Sequence, residues 1–183
     1  MVNVYIVKWS KEDAPWQRIL ADVLKRDYKI ENCPEILRNE YGKPYFQDNP
    51  MYFNVSHSGE YLAIAVSESP VGIDIQGEKL IKDGMFKKVV QPKETLLIGE
   101  NRQRDFLRLW ALKESFVKAE GKGFRIALKD YYFEKENDQY FVIYGGQKMP
   151  WTFNIEETLI EGYFICVCGL EKRESCIMKL EIS

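Results

Sequence analysis

Two carboxylates are of interest in this sequence because the residues around them are apolar. Glu114 lies in the stretch 110–118, WALKESFVK, and Asp74 lies upstream in VGIDI. On a helix that turns about 100° per residue, Glu114 falls within about 40° of Trp110, on the apolar side. A buried carboxylate is costly unless it is paired. We therefore expect Glu114 to have a partner, which is a lysine, a metal ion or both.

The strand pattern around Asp74 adds polar groups to one face. Side chains alternate along a strand, so Gly72, Asp74 and Gln76 point the same way, and we expect Gly72 to leave that face open. Oxygen ligands from Asp74, Gln76 and Glu114 suit Mg²⁺, which completes its shell with water and phosphate. Lys118, one turn beyond Glu114, suits phosphate oxygens. The residues thus predict a magnesium and phosphate site, with an ordinary Glu114–Lys118 helix ion pair as the alternative.

Composition limits the class of protein. The chain has 183 residues, of which 45% are apolar and 14% aromatic, enough for a packed core. No stretch approaches the roughly 20 apolar residues of a membrane span, and the N-terminus lacks a signal pattern. We expect a cytoplasmic protein that does not insert into membranes. The one histidine, His57, excludes a histidine-rich metal site, and the four cysteines are expected as small buried side chains.

The net charge of −2 is unevenly distributed along the chain. Residues 79–125 hold 12 Lys and Arg against 6 Asp and Glu, which gives +6 and leaves −8 for the rest. A basic segment in an acidic protein favours a local anionic partner over bulk nucleic-acid binding. The alternative is a solvated surface of lysine and arginine side chains.

Hydrophobic periodicity predicts an α+β chain with antiparallel strand pairing. Helices are expected over 14–27 and about 103–120, the second ended by Gly121, with short helical pieces at 84–90 and 92–99. Strands are expected near 2–9, 51–55, 61–66, 71–76, 130–135, 140–144, 151–156, 162–169 and 175–181.

Several blocks, taken in order, resemble a known family. They are the YGKP turn at 41–44, FNVSHSG at 53–59, VGIDI at 71–75 and WALKESFVKAEGKG at 110–123. Together they resemble the 4′-phosphopantetheinyl transferases of the surfactin-synthetase type. The resemblance implies an α+β pseudo-dimer of two related halves, each an antiparallel sheet packed with a long helix. The halves would be residues 1–70 and 71–183, and the second would carry the metal site.

The resemblance also implies a reaction and the residues that perform it. Members of this family use Mg²⁺ to transfer the 4′-phosphopantetheine arm of coenzyme A to a serine of an apo acyl or peptidyl carrier protein, releasing adenosine 3′,5′-bisphosphate. Asp74, Gln76 and Glu114 match metal-ligand positions, although Gln76 stands where the family pattern has an acid. Glu114 would also take the serine proton, and Lys118 would hold the diphosphate. Coenzyme A contacts are expected from Tyr41, Gly42, Lys43, Pro44, Ser56, His57 and Lys118.

The implied partners are coenzyme A and the carrier protein, with no nucleic acid and no membrane, and the implied oligomeric state is a monomer. The alternative is a non-catalytic module of the same fold that binds coenzyme A or a carrier protein. Gln76 and the small number of basic residues before the first helix favour that alternative, whereas Asp74, Glu114, Lys118 and His57 favour the enzyme.

Overall fold

The computed structural model describes residues 1–10, 14–170 and 176–181. One helix follows the first strand, two helices lie in the middle of the chain, and runs of strands make up the rest. Two short 3₁₀ helices cover Pro92–Leu97 and Gly123–Arg125. The elements are β1 (Val2–Lys8), α1 (Trp16–Tyr28), β2 (Ile36–Arg38), β3 (Pro44–Phe46), β4 (Tyr52–Ser58), β5 (Tyr61–Ser67), β6 (Val71–Gly77), α2 (Asp83–Val89), α3 (Arg102–Glu120), β7 (Tyr131–Glu136), β8 (Gln139–Tyr144), β9 (Gln147–Lys148), β10 (Thr152–Glu156), β11 (Tyr163–Gly169) and β12 (Cys176–Glu181).

The described strands form two larger and two smaller sheets. The larger sheets have the orders β12-β1-β5-β4 and β10-β11-β6, and the smaller ones are β2-β3 and β7-β8-β9. The expected antiparallel pairing is found between the described strands, with the exception of β12, which runs parallel to β1. Hydrophobic alternation identifies a strand but does not give its direction. The division at residue 70 stays a prediction, and β12 joins the sheet of the N-terminal strands.

Each larger sheet packs against one long helix, as expected for this α+β class. α1 buries Leu20, Val23 and Leu24 in a cluster that includes Tyr5 and Phe53 of the first sheet. α3 packs on the second sheet through β6 and β11. Within the described part of the chain, no helix is both long and apolar enough to span a membrane.

The helix α3 begins and ends as the sequence predicts. Asn101 accepts a hydrogen bond from the backbone N–H of Arg104 at its first turn. Gly121 ends the helix in the left-handed region, with a φ of 69°, which glycine adopts without a steric penalty. The helix is largely buried toward its C-terminal half, whereas Arg102 in its first turn is exposed to solvent.

Gly72 lies where α3 approaches β6 most closely. A Cβ atom at this position would lie 2.0 Å from the Ser115 carbonyl oxygen and 2.4 Å from the Ala119 nitrogen. The expectation that Gly72 leaves an open face for a ligand is therefore wrong. The missing side chain makes room for the helix backbone, which brings α3 close to Asp74.

Side chains of β4 join the two larger sheets. The side chain of every second residue along β4 accepts a hydrogen bond from a backbone N–H group of β6. Each donor lies 19 positions after its acceptor in the sequence. We call this row of contacts the side-chain ladder. Its contacts run from Ile73 N–H to Asn54 (2.8 Å), from Ile75 N–H to Ser56 (3.3 Å) and from Gly77 N–H to Ser58 (2.9 Å).

A fully buried ion pair fixes α3 to the segment before it. Lys113 Nζ lies 2.7 Å from Glu94 Oε1, and neither side chain is exposed to solvent. Glu94 also accepts from the backbone N–H groups of Gln91 and Phe133. Burial lowers the pKa of Lys113, and the Glu94 carboxylate opposes that shift. Each charge offsets the other, which allows both side chains to be buried in the core.

We expect Glu94→Gln to destabilise the protein by about 3–5 kcal/mol, because it leaves the Lys113 ammonium buried without a counter-charge. Urea unfolding measures the loss. Glu60→Gln is the matched control, since the Lys8–Glu60 pair is exposed (64% and 57%) and its loss should change the stability far less. A loss for Glu94→Gln no larger than that of the control would contradict the role of the pair.

Candidate active site

A cleft of about 360 Å³ lies between α3, β4 and the turn before β3. The structure brings together there six of the residues expected from the sequence: Tyr41, Gly42, Lys43, Pro44, Glu114 and Lys118. The other lining residues are Asn54, Val55, Trp110, Val117, Gly121, Gly123, Ile126 and Leu128. The lining therefore combines charged side chains with largely apolar ones, and we call the part formed by Glu114 and Lys118 the charged wall.

Asp74 is buried behind the charged wall and does not itself line the cleft. Its Oδ1 atom accepts from Lys118 Nζ at 2.6 Å and from the Ser56 hydroxyl at 2.9 Å. Its Oδ2 atom accepts from the Gln76 amide at 2.6 Å. Lys118 also donates to Ser56 Oγ (2.9 Å) and to the Ile73 carbonyl (3.1 Å). The sequence suggested an ion pair between Glu114 and Lys118 on the surface of the helix as an alternative. In the structure, the Lys118 ammonium is directed across the helix–strand interface to Asp74.

Glu114 is the half-buried carboxylate of the cleft. Burial raises its pKa, the neighbouring Asp74 carboxylate raises it further, and Lys118 partly opposes the shift. The Lys118 ammonium forms its ion pair with Asp74 and only partly offsets the two carboxylates. This excess of negative charge fits a bound cation, and hard divalent ions prefer such oxygen ligands.

Gln76, expected as a third metal ligand, makes hydrogen bonds with both polar atoms of its side-chain amide. The Gln76 amide nitrogen points to Asp74, and its oxygen accepts from Lys79 Nζ at 2.9 Å. Among the described residues, no group of three or more His, Cys, Asp or Glu side chains is arranged to hold a metal. Asp74 and Glu114 are nevertheless close enough for the charge of Asp74 to raise the pKa of Glu114.

Lys43 attaches the turn before β3 to the end of α3. Its ammonium donates to the carbonyls of Ala119 (3.1 Å) and Val71 (3.2 Å), while Asn39 donates to the Gly121 carbonyl (2.9 Å). A cation at a helix C-terminus is favoured by the helix dipole. Burial lowers the pKa of Lys43 to about 8. The sequence placed Lys43 at a ligand pocket but gave no sign of this anchoring role.

His57 lies outside the cleft lining. It is exposed on β4, and its ring centroid is 5.6 Å from that of Trp9. Both residues line a separate groove of about 440 Å³ with Ser10, Gly59 and Glu60. Strand alternation explains this position, because Ser56 points toward Asp74 and its neighbour points away. That alternation was visible in FNVSHSG and could have separated the two residues.

Sequence reasoning missed several polar residues near the site. Asn54 and Ser58 belong to the side-chain ladder, and their spacing of two residues on either side of Ser56 was the available signal. Lys79 follows β6 and contacts Gln76, which no spacing rule predicts. Trp110, expected on the apolar side of α3, does line the cleft.

Comparison with known proteins decides the family. A family model described as the 4′-phosphopantetheinyl transferase superfamily matches residues 70–168. The chain belongs to this superfamily. It is 34% identical over 174 residues to the 4′-phosphopantetheinyl transferase gsp of Aneurinibacillus migulanus, covering 90% of this chain and 73% of that protein. The family expected from the sequence motifs is confirmed.

Other relatives cover less of the chain. It is 37% identical over 134 residues to the 4′-phosphopantetheinyl transferase Sfp of Bacillus subtilis (strain 168), which covers 67% of this chain and 59% of that protein. The chain thus spans less than two thirds of the length of Sfp. A solved structure of Thermotoga maritima holo-[acyl-carrier-protein] synthase matches 57% of this chain and 64% of its own, with a TM-score of 0.48 and 21% identity.

We expect Glu114→Gln to stabilise the metal-free protein at pH 7. A raised pKa means that ionising Glu114 is harder in the folded than in the unfolded chain. This cost is present above the folded pKa and disappears as the pH falls below the unfolded value of about 4.3. Urea unfolding in a chelator at pH 7 and pH 4 should show a gain at pH 7 that shrinks at pH 4.

Glu134→Gln is the matched control for this substitution, because Glu134 is exposed on β7. It should leave the unfolding midpoint nearly unchanged at both pH values. A Glu114→Gln protein that is less stable than the wild type at pH 7 would show that Glu114 is already compensated.

Proposed function

We propose that this chain transfers the 4′-phosphopantetheine arm of coenzyme A to a serine hydroxyl of an apo acyl or peptidyl carrier protein and releases adenosine 3′,5′-bisphosphate. The observation that carries the proposal is the placement of Glu114 and Lys118 in the lining of one cleft, with Asp74 buried and paired with Lys118. The chain's membership of the transferase superfamily supports the same reaction.

Asp74 and Glu114 would hold the Mg²⁺ ion in this proposal. The raised pKa of Glu114, caused by burial and by Asp74, fits a carboxylate that gains from a nearby cation. When bound, Mg²⁺ would offset the negative charge of the coenzyme A diphosphate. The magnesium requirement rests on this donor pair and on the family resemblance.

Glu114 would act as the base toward the carrier serine. As the serine oxygen bonds to the phosphorus that carries the pantetheine arm, the bond from that phosphorus to the adenosine bisphosphate oxygen breaks. The serine proton passes to Glu114, directly or through water. A carboxylate within hydrogen-bond reach of the hydroxyl, or joined to it by one water, can take the proton as a general base.

Lys118 would stabilise the diphosphate and the departing bisphosphate. Its ammonium has three hydrogens, and without ligand it donates to Ser56, Ile73 and Asp74. A contact with phosphate oxygens therefore requires one of these bonds to be exchanged. The bond to Ser56 is the least costly to exchange, because that hydroxyl also bonds Asp74 and the N–H of Ile75.

The remaining lining residues of the cleft fit the parts of coenzyme A other than its diphosphate. Trp110, Val117 and Leu128 provide an apolar surface, and the turn Tyr41–Pro44 adds to the lining. Apolar walls with a few placed charges are typical of small-molecule sites. We assign the turn to the edge of the adenosine pocket.

The basic segment supports an acidic carrier as the partner. Lys87 and Lys88 are exposed in the last turn of α2, and Met85 on the same helix is 39% exposed. Exposed cations speed the encounter with a partner of opposite charge. The cytoplasmic location and the monomeric state stay predictions.

A non-catalytic module that binds coenzyme A or a carrier protein is the second candidate. The observation that favours it is Gln76, whose neutral amide gives the site one acid fewer than the family pattern. Transfer of the arm to a carrier by the purified chain would exclude this candidate.

We expect Glu114→Gln to lower the transfer rate at least about a hundredfold, because it removes the base and one charge from the cation site. The measurement is the mass gain of an apo carrier protein incubated with coenzyme A and Mg²⁺. Glu134→Gln, on exposed β7, should retain the wild-type rate. Transfer at the wild-type rate by folded Glu114→Gln would refute the assigned role.

We expect His57→Ala to weaken binding of coenzyme A more than binding of dephospho-coenzyme A. His57 is exposed in the groove beside Trp9, outside the cleft lining, which fits a contact to the outlying 3′-phosphate. Calorimetry with both ligands measures the difference. Lys118→Ala should weaken both ligands alike, since it is assigned to the diphosphate that both contain. An equal loss for both ligands in His57→Ala would overturn the assignment.

A further inference from the structure

Lys79, Gln76 and Asp74 form a chain of hydrogen bonds at the buried end of the charged wall. Lys79 Nζ donates to Gln76 Oε1 at 2.9 Å, and Gln76 Nε2 donates to Asp74 Oδ2 at 2.6 Å. Gln76 and Asp74 are buried, with exposures of 9% and 3%, whereas Lys79 reaches them from the surface.

The partners of Gln76 allow only one orientation of its amide. An ammonium has hydrogens to donate and no lone pair to accept with, and an ionised carboxylate only accepts. Turning the amide over would place its oxygen against Asp74 and its NH₂ group against Lys79. Both contacts would then be repulsive, so the orientation follows from the chemistry of the neighbours.

The backbone holds Lys79 in place on both sides. The N–H of Glu78 donates to the Gly162 carbonyl at 2.7 Å. The N–H of Ile81 donates to Gln103 Oε1 at 2.8 Å, and the Ile81 carbonyl accepts from Gln103 Nε2 at 3.3 Å. Lys79 therefore approaches Gln76 from a segment that is fixed to the two elements beside it.

We propose that Gln76 is a positioning residue for Asp74, held in that role by Lys79, and is not a metal ligand. Its amide oxygen is occupied by Lys79, and its nitrogen fixes the Asp74 carboxylate on the side away from Lys118. A glutamate at this position would place a second carboxylate against Asp74 Oδ2, which only a proton or a cation could bridge. Glutamine lets the site assemble before any cation arrives.

The metal part of this inference rests on the proposed function, and its test does not measure transfer. The first measurement is the NMR spectrum of the Gln76 side-chain amide in the metal-free protein. Lys79→Met should shift these resonances and speed their exchange with solvent. Lys82→Met, which removes an exposed lysine from the same segment, should leave them in place. Unchanged resonances in Lys79→Met would overturn the role given to Lys79.

The second measurement follows the same amide of the wild-type protein with coenzyme A bound, before and after Mg²⁺ is added. It needs no variant, so it does not depend on the folding of a substituted chain. We expect the Gln76 resonances to keep their hydrogen-bonded positions. A large shift with loss of the Lys79 contact would show that the amide oxygen has moved to the metal, which overturns the proposal.

The third measurement counts the water molecules on Mn²⁺ bound in place of Mg²⁺, by pulsed electron paramagnetic resonance. Gln76→Met removes the amide and keeps the side-chain length. The count should equal that of the wild type if Gln76 is not a ligand. One additional water in Gln76→Met would show that water has replaced a ligand, and the proposal would then be wrong.

Discussion

The side-chain ladder between β4 and β6 is the contact on which the site depends. A strand at the edge of a sheet presents N–H groups that need acceptors, and here Asn54, Ser56 and Ser58 provide them. Each such bond contributes about 1 kcal/mol, but leaving a buried N–H unpaired costs more. The constant offset of the three contacts fixes the register of β4 on β6. That register places the Ser56 hydroxyl against Asp74, so one side chain serves both the sheet junction and the charged wall.

The distance between α3 and β6 is the second constraint, and Gly72 sets it. The helix backbone fills the space where a Cβ would lie, so the carboxylate of Asp74 comes within 2.6 Å of Lys118 Nζ. On the other side of α3, Lys113 is buried against Glu94 and fixes the rotation of the helix. Rotation and distance together direct Glu114 into the cleft. The cost of burying Lys113 and Glu94 is thus linked to the placement of the residues assigned to catalysis.

The sequence predicts the elements of this fold better than their arrangement. The long helix, its stop at Gly121 and the strands of the larger sheets follow from local periodicity and turn residues, which are properties of neighbouring positions. The parallel pairing of β12 with β1 is not predicted, because it joins residues far apart in the chain. The short strands β2, β3 and β9 are too brief for periodicity to identify.

The same limit applies to the site. Spacing alone selects Asp74, Glu114 and Lys118, because a charged residue on the apolar face of a helix or strand can be recognised from the sequence of that one element. The motifs add the turn Tyr41–Pro44, which the structure brings to the same cleft. The contacts of Lys79, Lys43 and Glu94 join separate elements, and no local pattern encodes them. For Gly72, the sequence pattern indicated a position where the lack of a side chain matters. The backbone of α3, which requires a glycine there, is known only once the helix is packed on β6.

The charges of the cleft wall imply that a cation and coenzyme A would bind together. Lys118 forms an ion pair with Asp74, and Lys79 is held at Gln76, so Glu114 is the carboxylate of the wall that gains most from a bound cation. A diphosphate alone would add repulsion against Glu114, and a divalent cation alone would leave an excess positive charge in a partly buried site, where charge is poorly screened. Each ligand therefore lowers the cost of binding the other, and by thermodynamic reciprocity the coupling is equal in both directions. Gln76 strengthens this dependence, because a neutral amide adds no charge of its own to attract the cation before the diphosphate arrives.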